Sequence, residues 1–153
     1  MKMRRFEKVS SEVFDGEVNI PKRSTEQSAG YDIESAEDVI INPHEQAIIS
    51  TGLKARMLPD EVLMIFIRSS MAIKKGLSIV NGTGIIDADY YNNIQNEGHI
   101  LVCLQNNRNT PYAVKKGERI AQGIFLKYLV TENDAESSMC KRSGGIGSTN
   151  VRG

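Results

Sequence analysis

The hydrophobic positions of this chain come in short runs, not at helical spacing. Apolar and β-branched residues cluster at 39–41, 46–49, 53–57, 62–67, 77–80, 100–104 and 120–130. Runs of this length and composition predict strands. The breaks between runs carry Asn42-Pro43, Leu58-Pro59-Asp60, Asn106-Asn107, Thr110-Pro111 and Lys116-Gly117. Proline presets φ there, and Asn and Gly tolerate positive φ. Many strands at short spacing predict an all-β domain, a sandwich or jelly roll. In the last run Ile124, Leu126, Tyr128 and Val130 alternate with Phe125, Lys127 and Leu129, giving one apolar and one mixed face. Such a strand packs on one side and meets a partner on the other.

One segment departs from this pattern. Arg68-Ser-Ser-Met-Ala-Ile-Lys-Lys75, followed by Gly76, has a Ser N-cap candidate, good helix formers, terminal lysines and a glycine stop. It predicts a helix of about two turns. Two readings stand side by side: a plug over one end of the core, or an anion site in which free N–H groups, two hydroxyls and Arg68 converge. After Val130 the chain turns polar and glycine-bearing, which predicts a mobile arm over residues 131–153 beyond a domain of residues 1–130. Within it, Lys141-Arg-Ser-Gly-Gly-Ile-Gly-Ser-Thr149 is either plain flexible tail or a backbone wrap for phosphate. It lacks the Gly-Lys-Ser/Thr ending of a Walker loop.

Charge narrows the function. The 153 residues hold 19 Lys+Arg against 19 Asp+Glu, a formal net charge of zero. A nucleic-acid polymer or an anionic membrane surface calls for a basic excess that is absent, whereas a small anion needs only a local cluster of donors. The start, Met1-Lys-Met-Arg-Arg-Phe6, is followed by no apolar stretch, and the longest apolar run covers only 62–67, so a cytoplasmic protein is expected. Cys103 and Cys140 imply no disulfide framework, and Cys103 in its apolar run reads as a buried thiol. With His44 and His99 as the only histidines and no CxxC, a protein zinc site is not expected; a metal would arrive as a hard cation on phosphate.

The densest chemistry is Asn81-Gly-Thr-Gly-Ile-Ile-Asp-Ala-Asp-Tyr90, which predicts a tight β-hairpin. Ordinary turn chemistry accounts for its residues. A functional reading does too: backbone groups read a base edge, Tyr90 supplies a flat face and Asp87 acts as base. An ordinary aspartate, with a pKa of about 3.9, is ionised at neutral pH and can accept a proton from water. Asp32, after Ala29-Gly30-Tyr31, begins a strand and reads by itself as a turn or capping residue.

Taken in order, five segments resemble the motifs of the homotrimeric deoxyuridine triphosphatases (dUTP diphosphatases). They are Ala29-Gly-Tyr-Asp-Ile-Glu-Ser-Ala36, Arg68-Ser-Ser-Met-Ala-Ile-Lys-Lys-Gly-Leu77, Gly84-Ile-Ile-Asp-Ala-Asp-Tyr90, Gly117-Glu-Arg-Ile-Ala-Gln122 and Gly144-Gly-Ile-Gly-Ser-Thr149. The resemblance implies a trimerising β jelly roll with one short helix. It implies hydrolysis of dUTP to dUMP and pyrophosphate, with Mg²⁺ on the triphosphate and water attacking the α-phosphorus. Asp87 then corresponds to the carboxylate that deprotonates the water, and Asp32 to the acid that organises the water ligands of the magnesium. Arg68, Ser69, Ser70 and Gln122 correspond to phosphate-binding residues, Asn81, Gly84, Ile85 and Ile86 to the uracil-reading hairpin, and Tyr90 to the aromatic against deoxyribose. Lys141, Arg142, Ile146, Gly147, Ser148 and Thr149 correspond to the closing tail. Each site of the family takes its first, second and fourth motifs from one subunit, the third from another and the fifth from the last.

The chain departs from the family pattern in places. Lys141-Arg142 stands where Arg-Gly is usual, so either cation is a candidate for the γ-phosphate. Ile146 replaces the aromatic that commonly covers uracil, with Tyr91 a candidate substitute, and the segment from Tyr91 to His99 is lengthened. Glu118 beside Arg119 reads as a structural pair. Two rival readings are a dCTP deaminase of the same superfamily and a non-catalytic or moonlighting trimer, such as a phage-type regulator, that binds a protein partner in a nucleotide-dependent way.

Overall fold

The computed structural model describes residues 3–136, 142–147 and 149. Among them twelve strands and one helix follow in the order β1 (Arg5–Lys8), β2 (Lys22–Arg23), β3 (Tyr31–Glu34), β4 (Val39–Ile41), β5 (Gln46–Ser50), β6 (Leu53–Arg56), β7 (Glu61–Ile67), α1 (Ser69–Ile73), β8 (Leu77–Ile79), β9 (Gly84–Asp87), β10 (Leu101–Asn106), β11 (Tyr112–Val114) and β12 (Arg119–Lys127). The largest sheet has the order β2-β3-β12-β7-β9; the others are β5-β10-β8, β1-β6 and β11-β4, all antiparallel. The predicted all-β class holds, and each of the seven apolar runs contains a strand. No helix among the described residues is long and apolar enough to cross a membrane.

The core lies between the inner faces of these sheets. In β7 the residues Glu61, Leu63 and Ile65 point inward and alternate with Val62, Met64 and Phe66, the two-residue period of a pleated strand. Ile33, Ile41, Ile49, Leu63, Leu104 and Ile120 are sealed from solvent with them. Phe6, Tyr31 and Phe125 pack as two tilted ring pairs and one edge-on pair with centroids 5.3–6.1 Å apart. Several polar residues are buried as well, and two of them, Glu61 and Asn106, are fully partnered. Glu61 accepts from Leu58 N–H and from Arg4 Nε, both at 3.0 Å, and from Arg4 Nη2. Asn106 donates to the carbonyls of Ile41 (3.0 Å) and Thr110 (2.8 Å) and accepts from Arg108 N–H (3.0 Å). A buried amide without such partners would cost of order 2–7 kcal/mol, and an ionised carboxylate more than that.

Four expectations need correction. The helix is a five-residue turn, Ser69–Ile73, not two turns, and its N-cap is Arg68 in extended conformation with no side-chain cap bond. Met71 alone of the helix is buried, contributing about 1.5–3 kcal/mol, and the left-handed Gly76 (φ 66°) turns the chain back immediately. The segment around Asn81 is not a hairpin, because β8 pairs with β10 whereas β9 pairs with β7. Its turn, closed by Gly82 N–H to Ile79 O (2.9 Å), carries the chain from one sheet to the next. In β12 the packed face holds Ala121, Gly123 and Phe125, so Ile124 and Leu126 face outward. Phe125 is demanded by the aromatic cluster, and that overrides the apolar tally of the other face. Finally, Cys103 is only half-buried on the outward row of β10, where burial pushes its thiol pKa up.

Candidate active site

The register of β3, β7 and β12 assembles the first cluster. Gln122 lies opposite Asp32 on one side and Phe66 on the other, and Ile67 leads directly into Arg68 and α1. Asp32 therefore meets Arg68: the guanidinium Nε is 3.2 Å from Asp32 Oδ1. Arg119 Nη1 stands 3.5 Å from Asp32 Oδ2, and the Ser24 hydroxyl donates to the same oxygen at 2.6 Å. Arg68 Nη1 also donates to the Arg119 carbonyl (3.3 Å), and Gln122 Nε2 donates weakly to the Ile67 carbonyl (3.4 Å). Ser69 is exposed and Ser70 half-exposed beside them. One carboxylate among two guanidiniums, a primary amide and hydroxyls leaves a net positive corner, suited to an anion with a high density of acceptor oxygens.

Gly30 leaves the space in which the Gln122 side chain sits. A Cβ at that position would lie 2.5 Å from Gln122 Oε1 and 3.2 Å from Gln122 Cβ. The Ala-Gly-Tyr-Asp sequence thus sets both Asp32 and the seat of Gln122.

Ser24 was not singled out from sequence, and Arg119 was read only as a structural partner of Glu118. Glu118 and Arg119 are not a pair: Glu118 accepts from Tyr112 OH and from Lys115 N–H (3.1 Å), while Arg119 turns to Asp32. The cause is a register shift between Arg119 and Ala121, a bulge that re-aims a side chain and leaves no mark in the alternation.

The second cluster lies at the other end of the same sheet. Asp87 ends β9 and leads into a 3-10 turn, Ala88–Tyr90. Arg142 Nη2 is 2.5 Å from Asp87 Oδ2 and Arg142 Nε 2.8 Å from Asp89 Oδ1, while Arg142 Nη1 reaches the Gly144 carbonyl (3.3 Å). Tyr90 is 9% exposed and donates its hydroxyl to the His99 carbonyl at 2.6 Å. Burial pushes the phenol pKa up, so it stays a donor. Gly145 packs against the hydroxyl end of its ring: a Cβ there would lie 3.2 Å from Tyr90 Cε2 and 3.3 Å from the hydroxyl oxygen. Asp89 is the further residue that only the structure brings to this cluster.

Asn81 is exposed in the crossover turn, and Gly84, Ile85 and Ile86 form β9. Because β9 is the last strand of its sheet, its outer backbone edge pairs with no strand among the described residues. Such an edge is a ready row of N–H and C=O groups. Tyr91 is no cover for a base: its hydroxyl donates to Glu7 Oε2 (2.8 Å) and Lys54 Nζ sits 5.4 Å from its ring centroid. Ile146 is 90% exposed, and Gly147 (φ 77°) and Thr149 lie beside it in the described part of the arm. Lys141 and Ser148 lie outside the described residues.

The described residues hold no group of three His, Cys, Asp or Glu side chains able to cage a metal. The half-buried Asp32 carboxylate, a hard oxygen donor ringed by phosphate-type donors, fits an octahedral cation that is held by phosphate and keeps its waters.

Comparison with known proteins agrees with these features. Residues 16–150 match the dUTPase family model. The chain is 50% identical over 149 residues to the deoxyuridine 5′-triphosphate nucleotidohydrolase of Lactococcus lactis, covering 97% of this chain and 99% of that one. It superposes on the crystal structure of dUTPase from Streptococcus mutans with a TM-score of 0.78 at 40% identity, over 84% of this chain and 98% of the other. A variant dUTPase from phage phi11 of S. aureus, described with a coordinated structural Mg(II) ion, shares the fold at 24% identity and a TM-score of 0.69, covering 84% and 93% of the two chains.

Proposed function

The chain belongs to the dUTPase family, and from that premise we propose that it hydrolyses dUTP to dUMP and pyrophosphate, keeping uracil out of DNA and supplying dUMP for thymidylate synthesis. The observation that carries the reading is the convergence of Asp32, Arg68 and Gln122, distant in sequence, on one corner of the sheet.

Arg68, Gln122 and the hydroxyls of Ser69 and Ser70 grip the triphosphate. Phosphoryl transfer depends chiefly on positioning and on cancelling charge, so these donors supply much of the catalysis. Asp87 orients a water and accepts its proton as the water oxygen bonds to the α-phosphorus. The bond from that phosphorus to the bridging oxygen breaks, and pyrophosphate leaves. Mg²⁺ on the triphosphate would add charge neutralisation, and Asp32 is the residue to hydrogen-bond its waters. The free edge at Gly84, Ile85 and Ile86, with Asn81, reads uracil, and the Tyr90 ring takes the face of the deoxyribose where a ribose hydroxyl would clash. Lys141 or Arg142, with Ile146, Gly147, Ser148 and Thr149 on the arm of residues 131–153, closes over the substrate and excludes water.

The two carboxylates support a shared-site trimer. Asp32 and Asp87 sit on strands three apart, opposite positions equivalent to Gln122 and Leu126 of β12. With about 4.8 Å between strands and about 3.3 Å per residue, they are roughly 20 Å apart. One chain therefore does not bring both to one triphosphate. Its outward sheet face, lined by Val62, Met64, Phe66, Ile85, Ile124 and Leu126, is apolar and supplies a surface for association.

The test is pyrophosphate release from dUTP, dTTP, dCTP and UTP in turn, with Mg²⁺ and then with a chelator. Release from dUTP alone, abolished by chelation, is expected. Ammonia from dCTP would instead mark a deaminase, and inertness of a folded oligomer toward all four would mark a binding protein.

A further inference from the structure

The lengthened loop at residues 91–98 is tied back onto the residue it follows. Asn93 Nδ2 donates to the Tyr90 carbonyl (2.8 Å) and Asn96 Nδ2 to the Tyr90 hydroxyl oxygen (2.9 Å). The Asn96 amide has one orientation open to it, because its Oδ1 accepts from Asn93 Nδ2 (2.8 Å) and from Gly98 N–H (3.1 Å). Gly98 (φ 86°) closes against the same place: a Cβ there would lie 2.6 Å from the Tyr90 carbonyl oxygen.

The loop is rigid enough to act as a support. Asn92 (φ 56°) and Glu97 (φ 59°) are left-handed, a conformation that persists in a non-glycine residue only where the surroundings over-determine it. They do so here: Asn92 N–H donates to Glu97 O (2.8 Å), Lys54 Nζ donates to Asn92 Oδ1 (2.7 Å) and Glu97 Oε1 (3.1 Å), and Ser10 N–H donates to Glu97 Oε2 (3.2 Å).

We propose that Asn96 is a positioning residue for sugar discrimination, fixing the tilt of the Tyr90 ring by bonding its hydroxyl. The inference rests on the reading of Tyr90 as the deoxyribose-facing aromatic. The phenol oxygen lies on the long axis of the ring, so two bonds at that one atom, to His99 O and from Asn96, hold the axis from its hydroxyl end. A ring held by His99 alone can tilt and admit a 2′-hydroxyl. Base reading, which belongs to the edge of β9, is separate from this support.

The experiment compares kcat/KM for dUTP, UTP and dTTP in the wild-type chain and in Asn96→Asp, Tyr90→Phe, Tyr90→Ala and the Asn96→Asp/Tyr90→Phe double variant. Asn96→Asp keeps the shape and both acceptor bonds of the loop but puts an acceptor where the donor was, so the single phenol hydrogen can no longer serve His99 and residue 96 together. The dUTP-to-UTP ratio is expected to fall about tenfold or more, the scale of a lost packing discrimination, while the dUTP-to-dTTP ratio stays within about twofold. Tyr90→Phe, which loses the bonds to both Asn96 and His99, should lower the dUTP-to-UTP ratio at least as far, and the double variant should add nothing to it. Equal loss of both ratios would mark a merely structural role and overturn the proposal. An unchanged dUTP-to-UTP ratio in Asn96→Asp, with collapse in Tyr90→Ala, would overturn it and leave the Tyr90 reading standing. An unchanged ratio in Tyr90→Ala would overturn both. Should Asn96→Asp not fold, Asn96→Ala decides in its place, because it deletes the donor and leaves the Tyr90 bond to His99 intact.

Discussion

The roughly 20 Å between Asp32 and Asp87 makes subunit sharing measurable. Asp32 faces Gln122 across one strand boundary, and Asp87 faces Val62, which in turn faces Leu126. The offset is thus four residues along the strands and three strand spacings across them, about 13 Å by about 14 Å. A general base must come within about 3 Å of the proton it takes, or reach it through one water. No rearrangement of side chains spans such a gap. Asp32→Asn and Asp87→Asn should each form trimers, and Asp87→Asn should bind dUTP while slowing turnover by about 10²–10⁴-fold. Co-expressed in equal amounts, the two dead chains should recover activity, because a site taking Asp32 from one chain and Asp87 from its neighbour is intact in about one quarter of random pairings. The assay is pyrophosphate release by the purified mixed trimer, expected near a quarter of the wild-type rate. A mixed trimer no more active than its parents would refute the reasoning, since it would mean that one chain supplies both acids.

Gly30→Ala should leave the melting temperature within a few degrees but raise the KM for dUTP about tenfold, because its methyl displaces Gln122; kinetics alongside thermal melting separates the two. Ile124→Asp places a charge on the outward apolar face and should yield monomers by size-exclusion chromatography, with hydrolysis lost. Stability should fall with acid in two stages. Burial pushes His99 below its ordinary pKa of 6.5, and its Nε2 accepts from Gly52 N–H at 2.9 Å, so the unfolded chain binds the proton first and stability declines as pH drops below that value. Glu61 is held below the ordinary 4.5 by its bonds to Arg4, which adds a second loss as pH falls past 4.5. Thermal melts from pH 8 to 3 should show both stages in the wild-type chain and only the second in His99→Gln.

Local chemistry was readable without coordinates. Strand runs announce themselves because a pleated strand with one buried face needs β-branched and apolar residues at close spacing, and Pro, Asn and Gly must stand where the chain turns. Asp87, Asp32 and Arg68 were readable as candidates only through the order of five motifs, and the structure brings Asp32 and Arg68 together. What the linear pattern could not reveal depends on pairing between distant segments. The Asn81 turn looks like a hairpin because its residues suit one, but partner choice is a matter of which sheet edges are open, and β8 and β9 took partners in different sheets. The inward face of β12 was settled by the ring cluster of Phe6, Tyr31 and Phe125, and the place of Arg119 by a one-residue bulge. Most of all, Asp32 and Asp87, which the motif resemblance assigns to one site, are held at opposite corners of one sheet. Residue type and spacing determined what each segment can do chemically; only the long-range register decided which segments of one chain can do it together, because hydrogen-bonded strands fix distances that sequence separation leaves free.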